Sequence, residues 1–386
     1  MSELLNGRWA ETKEALLEGL QGTKKSVMGV TLENTRKYLM ESPTAGATSA
    51  GNVATLNRVI LPVIRRVMPT VIANELVGVQ PMTGPVGQIH TLRVRYADSA
   101  TGVTAGEEAL SPFKIAEAYS GNDSSPAKAA STATLEGAAG KRMSIQILKQ
   151  TVEAKTRKLS ARWTFEAAQD AQAQQGIDIE AEVMAALAQE ITAEIDQEIL
   201  ASLASLAGSA TEQFDQNAVS GTATFVGDEH AALAVQINRV SNLIAQRTRR
   251  GAGNWAVVSP FALTILQSAT TSAFARTTEG TFEAPTNTKF VGTLNNAMKI
   301  YVNTYANDAT DVLIGYKGSS ESDAAAFYCP YIPLMSSGVV LDPSTFEPVV
   351  SFMTRYGYVE LSNTASSLGN AADYLGKVSL ANVSFK

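Results

Sequence analysis

Asp178-Ile179-Glu180-Ala181-Glu182-Val183-Met184, running on to Leu206, is the stretch whose reading decides the fold class. Along it Met184, Leu187, Ile191, Ile195, Ile199 and Leu203 recur three or four residues apart, the period of one face of an α-helix. Asp178 is an N-cap residue, and Glu180 and Glu182 put negative charge at the positive end of the helix dipole. Glu190, Glu194 and Glu198 stack one turn apart on a second face, as a solvated acidic stripe does.

Outward from that helix the periods change. Ile89 to Tyr96 alternates, with Leu92, Val94 and Tyr96 on one side and Thr91, Arg93 and Arg95 on the other, which predicts a strand with a polar side. A second extended stretch runs from Ser144 to Phe165 and carries Lys149, Lys155, Arg157, Lys158 and Arg162. Between the two, residues 97–140 are rich in Ala, Gly, Ser and Thr, so they are expected to bury no core of their own. Two strands joined by a soft excursion predict a hairpin projecting from the body. Leu56, Val59, Ile60, Val63, Ile64 and Val67 have helical spacing interrupted by Pro62. A further helix is expected from Ala231 to Arg250, and Ser259-Pro260 supplies the cap and first residue of another. From Lys299 onward the pattern is strands and turns. Helices and strands mix without repeating βα units, so the class is α+β.

Composition narrows the chemistry. The 386 residues contain one cysteine, Cys329, and two histidines, His90 and His230, so constellations built on His, Cys or clustered metal ligands have little to draw on. No catalytic residue, cofactor or metal is expected. Ser111-Pro112-Phe113-Lys114 matches S-x-x-K but lies in the soft excursion with no Lys-Thr-Gly partner. Net charge is −6, the wrong sign for tight phosphate binding. No signal peptide and no membrane span are read. Residues 3–40 are charged and helix-friendly, and Ser42 to Gly51 has linker composition. The basic residues of the second extended stretch have two readings: a solvated face, or contacts with an acidic neighbouring subunit such as the Glu190–Glu198 stripe of another copy.

Several stretches then resemble, in chain order, the major capsid proteins of T-even-like contractile-tailed phages. They are Val77-Gly78-Val79-Gln80-Pro81-Met82-Thr83-Gly84-Pro85, Gln175-Gly176-Ile177-Asp178-Ile179-Glu180, Gly253-Asn254-Trp255, Val291-Gly292-Thr293-Leu294-Asn295 and Gly315-Tyr316-Lys317-Gly318. Leu92-Arg93, Phe327-Tyr328-Cys329-Pro330-Tyr331-Ile332-Pro333-Leu334, Asp342-Pro343 and Thr354-Arg355-Tyr356-Gly357 belong to the same set. The resemblance implies the Hong Kong 97 type capsid fold. Its implied parts are a propeptide or scaffold-like segment over 1–41, an N-arm over 42–85 and an E-loop hairpin over 86–165 with a soft insertion at 97–140. A peripheral domain over 166–229 and 341–386, with the long helix as its spine, and an axial domain over 230–340 follow. The function implied is self-assembly into hexamers, with pentamers of the same or a related protein, forming an icosahedral head that encloses DNA without binding it specifically. Implied companions are a vertex protein, a portal, a scaffold and a maturation protease, with assembly in the host cytoplasm and residence in the virion.

That protease cuts after glutamate with Leu or Ile two positions earlier. Leu39-Met40-Glu41 fits, as does Leu16-Leu17-Glu18, and Glu41 directly precedes the linker. Lys155, Arg157, Lys158, Glu190, Glu194 and Glu198 are the expected contacts between subunits. Two other readings stand beside this one: an encapsulin-like cellular shell protein, and a phage decoration or adhesin module.

Overall fold

The computed structural model describes Trp9, Lys13, Glu14 and Leu17, then residues 22–41 and 72–383. Within the second range it leaves out 108, 110–118, 122–127, 138, 176–177, 220–225, 249, 270–273, 277–288, 296, 307–310, 320–322 and 362–370. The helix expected at Leu56–Val67 and the motif Ser111–Lys114 lie outside the described residues, as do residues 42–71 of the expected N-arm.

Two sheets organise the body, and their edges follow from side-chain periodicity. In the first, β1 (Gly78–Val79) runs parallel to β11 (Ala326–Ser336), which pairs antiparallel with β13 (Pro348–Glu360). Beyond β13 lies β4 (Lys155–Arg162), with Val349 opposite Arg162 and Tyr356 opposite Lys155, while β12 (Val340–Leu341) pairs with the start of β13. The second sheet has the order β5-β14-β10-β6-β9-β8-β7. Its strands are β5 (Glu212–Asp215), β6 (Trp255–Val258), β7 (Phe274–Arg276), β8 (Lys289–Leu294), β9 (Met298–Val302), β10 (Val312–Gly315) and β14 (Leu375–Ala381).

The second sheet is covered on both faces. Trp255 and Val257 belong to one buried cluster and Ala256 and Val258 to another, as alternation along a strand requires. Behind one face pack α4 (Val226–Thr248) and α5 (Pro260–Ser268), the latter capped by Ser259, whose hydroxyl accepts the Ala262 N–H at 3.2 Å. On the other face the cluster continues into α3 (Ile179–Leu206) and the first sheet, so one core joins both sheets through the long helix. Asp178 caps α3 by accepting the Glu180 N–H at 3.1 Å, and the six residues of the expected stripe are all buried. The shorter α2 (Phe165–Gln175) precedes α3.

The N-terminal helix α1 (Gly22–Glu41) is part of this body. Val27, Met28 and Leu32 enter the main core, and the buried Asn34 amide donates to the carbonyls of Met82 (2.6 Å) and Tyr331 (2.9 Å).

The hairpin stands apart. β2 (Val86–Tyr96) and β3 (Met143–Glu153) form a two-stranded sheet, in register from Val86 opposite Glu153 to Tyr96 opposite Met143. Two expectations change here. The extended stretch 144–165 is two strands, because Ala154 donates its N–H to Pro85 O at the hairpin base, and the chain then enters the first sheet as β4. The excursion 97–140 also contributes to a small core of its own, where Tyr96, Val103, Ala109 and Tyr119 are buried together beside an Arg142–Asp98 ion pair at 3.2 Å. The sheets also cut across the expected boundary at 340/341. β11 pairs along its length with β13, while β14 lies inside the seven-stranded sheet.

Candidate assembly interface

The charged residues singled out in the sequence meet inside one chain. β4 lies between β13 and α3, so its alternate residues Arg157, Leu159 and Ala161 turn toward the core while Lys158 stays exposed on the opposite side. The Arg157 guanidinium donates to Glu194 Oε2 at 2.6 Å and also to Glu198, and its Nε–H donates to the Tyr356 hydroxyl at 2.6 Å. Tyr356 in turn donates to Glu198 Oε2 at 2.5 Å. Burial disfavours charge on Arg157 and Glu198, but the bonds they share, together with Tyr356, outweigh it: the guanidinium pKa rises and the carboxyl falls below its ordinary value. The same burial, with Glu198 beside it, pushes the Tyr356 hydroxyl up to about 12. The pairing expected between copies, Arg157 with the acidic stripe, is therefore made in cis.

The remaining members of the set are placed differently. Lys155 and Glu198 line an open groove of about 680 Å³ where the hairpin joins the body, with Lys149, Tyr358 and Glu360. Lys158 and Glu190 are exposed. Glu41 is the last residue of α1, at the point where the described chain breaks off.

Two apolar surfaces were not read from the sequence. On the hairpin, Met143, Ile145 and Ile147 lie on one side of β3 and are 53%, 67% and 66% exposed. Their period of two was the available signal. At the far end of β4, Trp163, Phe165, Ile179, Leu341 and Pro348 line a groove of about 340 Å³, beside which Phe346 is 70% exposed with its ring 6.1 Å from that of Phe165. These residues come from four elements, so no local pattern announces the groove.

Of the groups with chemical potential, His90 is exposed on the hairpin, while Cys329, His230 and Asp196 are enclosed. Cys329 is buried, and burial pushes its thiol up to about 11, where it stays protonated. His230 Nδ1 lies 2.5 Å from Ser268 Oγ. Asp196, on the core side of α3, accepts the Ile72 N–H at 2.9 Å, and burial pushes its carboxyl up to about 7 against that bond. Among the described residues no three His, Cys, Asp or Glu side chains gather as a metal site, and no helix is long and apolar enough to cross a membrane.

An α+β subunit whose extended hairpin leaves Met143, Ile145 and Ile147 bare has a surface suited to contact with other chains. Comparison with known proteins gives the family: the family model "Major capsid protein Gp23" matches residues 53–138 and 125–380, and the chain belongs to that family. The major capsid protein of Vibrio phage KVP40 is 30% identical over 422 residues, covering 85% of this chain and 81% of that one. That of Enterobacteria phage T4 is 30% identical over 405 residues, covering 81% and 76%. Among solved structures, the capsid of Myoviridae phage XM1 aligns with a TM-score of 0.45 at 11% identity, over 78% of this chain and 89% of that one. The chain is thus a structural subunit of a phage head, one of many copies in the virion shell. The encapsulin-like and decoration-module readings are not favoured.

Proposed function

We propose that this subunit assembles into hexameric capsomers, with pentamers closing the shell, and that β2–β3 is the arm each copy lays on its neighbour. The observation that carries the reading is the stripe Met143, Ile145 and Ile147, bare on a two-stranded sheet that pairs with no other strand among the described residues. Such a surface gains from being covered, and overlapping arms multiply modest contacts through effective concentration. The five-stranded sheet with α1 and α3 is assigned to the peripheral region, and the seven-stranded sheet with α4 and α5 to the axial one. Lys155, Lys158 and Glu190 set register between copies rather than affinity. A shell wall of net charge −6 per subunit encloses DNA without specific binding. Assembly takes place in the host cytoplasm without a cofactor and without catalysis by this chain, alongside a vertex protein, a portal, a scaffold and a maturation protease.

Electron microscopy and sedimentation of the purified protein test the reading. Hexamers, sheets, tubes or closed shells are expected, whereas a monomer inert across salt and concentration, even with phage assembly factors co-expressed, would overturn it. Scission after Glu41 is proposed as part of maturation. Mass spectrometry of mature particles should find chains beginning at Ser42, and an intact Met1 would remove the cut.

A further inference from the structure

Glu194 and Glu198 of the α3 stripe are engaged by their own chain through Arg157, so a neighbour's arm needs a receiving surface beyond what Glu190 alone offers. The hairpin stripe is apolar between two cations, with Lys141 beyond its outer end and Lys149 at its inner end, both exposed. The groove at the far end of β4 is apolar between acids: Asp178 and Glu180 line it with Trp163, Phe165 and Leu341, and Glu166 is exposed on the adjoining first turn of α2. Each surface is therefore the chemical complement of the other, aliphatic against aromatic at the centre and basic against acidic at the rim. The stripe's exposure means that the chain's own groove does not cover it.

We propose that the groove between α2, the start of α3 and the β12–β13 turn is the socket for the β3 stripe of a second copy. This rests on the reading of β2–β3 as an assembly arm and names where that arm lands. Phe346, exposed at the lip, closes over Ile145 once the stripe is seated. The positive end of the α3 dipole opens into the socket but is already answered by Asp178 and Glu180, so the rim presents negative charge to Lys141 and Lys149.

The chain's sole cysteine is buried, which makes cross-linking a clean test. In assembled particles the double variant Ile145→Cys, Phe346→Cys should give disulfide-linked ladders of subunits under mild oxidation, while each single variant stays monomeric on the gel. Well-formed particles without the ladder, ladders from Ile145→Cys alone, or cross-linking to Glu190→Cys instead would overturn the socket and leave the assembly reading standing. Should the double variant not assemble, hydrogen exchange on wild-type protein decides. Assembly should protect both 143–149 and 339–348, and particles in which either segment exchanges as in the free subunit would sink the proposal. If wild-type protein forms no assembly under any condition, the assembly reading falls and the socket with it.

Discussion

Asp196 and Arg157 show how two ionisable side chains on adjoining elements take opposite parts. Asp196 is buried on α3 with one oxygen accepting the Ile72 N–H and no hydrogen-bond partner among the described residues for the other, and the group facing it from β11 is Tyr328. Its neutral form suits the fold, because burial raises its pKa from 3.8 to about 7. The unfolded chain releases that proton at the ordinary carboxylate value. The contribution of Asp196 to stability is therefore full below about pH 4, falls by about 1.4 kcal/mol per pH unit as pH climbs toward 7, and is lost above it. Asp196→Asn keeps an acceptor for Ile72 and should remove this slope, as urea unfolding of the subunit at pH 5 and pH 7.5 would reveal; an unchanged slope in the variant would assign it elsewhere. Arg157 works the other way, charged and satisfied by two carboxylates and a hydroxyl. Arg157→Ala leaves Glu198 half-buried without its cation and should cost roughly 1–3 kcal/mol, discounted from a fully buried pair because the network reaches solvent. Lys158→Ala, on the exposed side of the same strand, should stay within about 0.5 kcal/mol. Equal losses in thermal unfolding would contradict the division of β4 into two sides. Neither role was legible from the sequence. The Arg157 partners lie 37 and 41 residues away, and Asp196 looks like one more acid on an acidic helix until its neighbours are placed.

At the scale of elements, legibility tracks the range of the forces. Helix α3, its Asp178 cap and the Ser259-Pro260 start of α5 depend on residues within one or two turns, and the sequence carried them to within a residue or so. The split of 144–165 into β3 and β4 depends on β13, almost 200 residues on, and period-two alternation alone cannot mark where a strand changes partner. The small core of Tyr96, Val103, Ala109 and Tyr119 escaped for the same reason, since four dispersed residues in a Gly- and Ala-rich stretch have no period. The partner change also creates a tight spot. Gly357 on β13 lies under the hairpin base, where an added Cβ would sit 2.4 Å from Val152 Cγ1 and 3.2 Å from the Glu153 carbonyl. Gly357→Ala should therefore lose about 1–3 kcal/mol by overpacking or lift the hairpin off the body. Val152→Ala in the same chain opens that space, so the double variant should recover part of the loss. Strictly additive losses in thermal unfolding would mean that the two residues do not meet.

At the scale of the molecule, folding and assembly use different residues, and that separation can be tested directly. The core clusters gather α1, α3, α4, α5 and both sheets, and none of them includes Met143, Ile145 or Ile147. The stripe thus adds nothing to the isolated subunit's core, while exposing it to water carries a cost that a neighbour removes. Seating an isoleucine contributes about 2 kcal/mol at most positions, so two of them shift a contact equilibrium by roughly a thousandfold. In a shell each subunit both gives and receives an arm, so the loss recurs at every contact and closure fails well before any single contact is abolished. The double variant Ile145→Asp, Ile147→Asp should keep the wild-type circular dichroism and melting temperature, within the scatter of surface substitutions. It should nevertheless sediment as free subunit under conditions where wild-type chains assemble. The added negative charge also opposes the acidic rim around Trp163 and Phe165, so raising salt should restore assembly only in part, because screening removes the repulsion and not the lost apolar contact. A variant that unfolds would show the stripe to be part of the fold after all, and one that assembles normally would show that the arm makes its contact with another face.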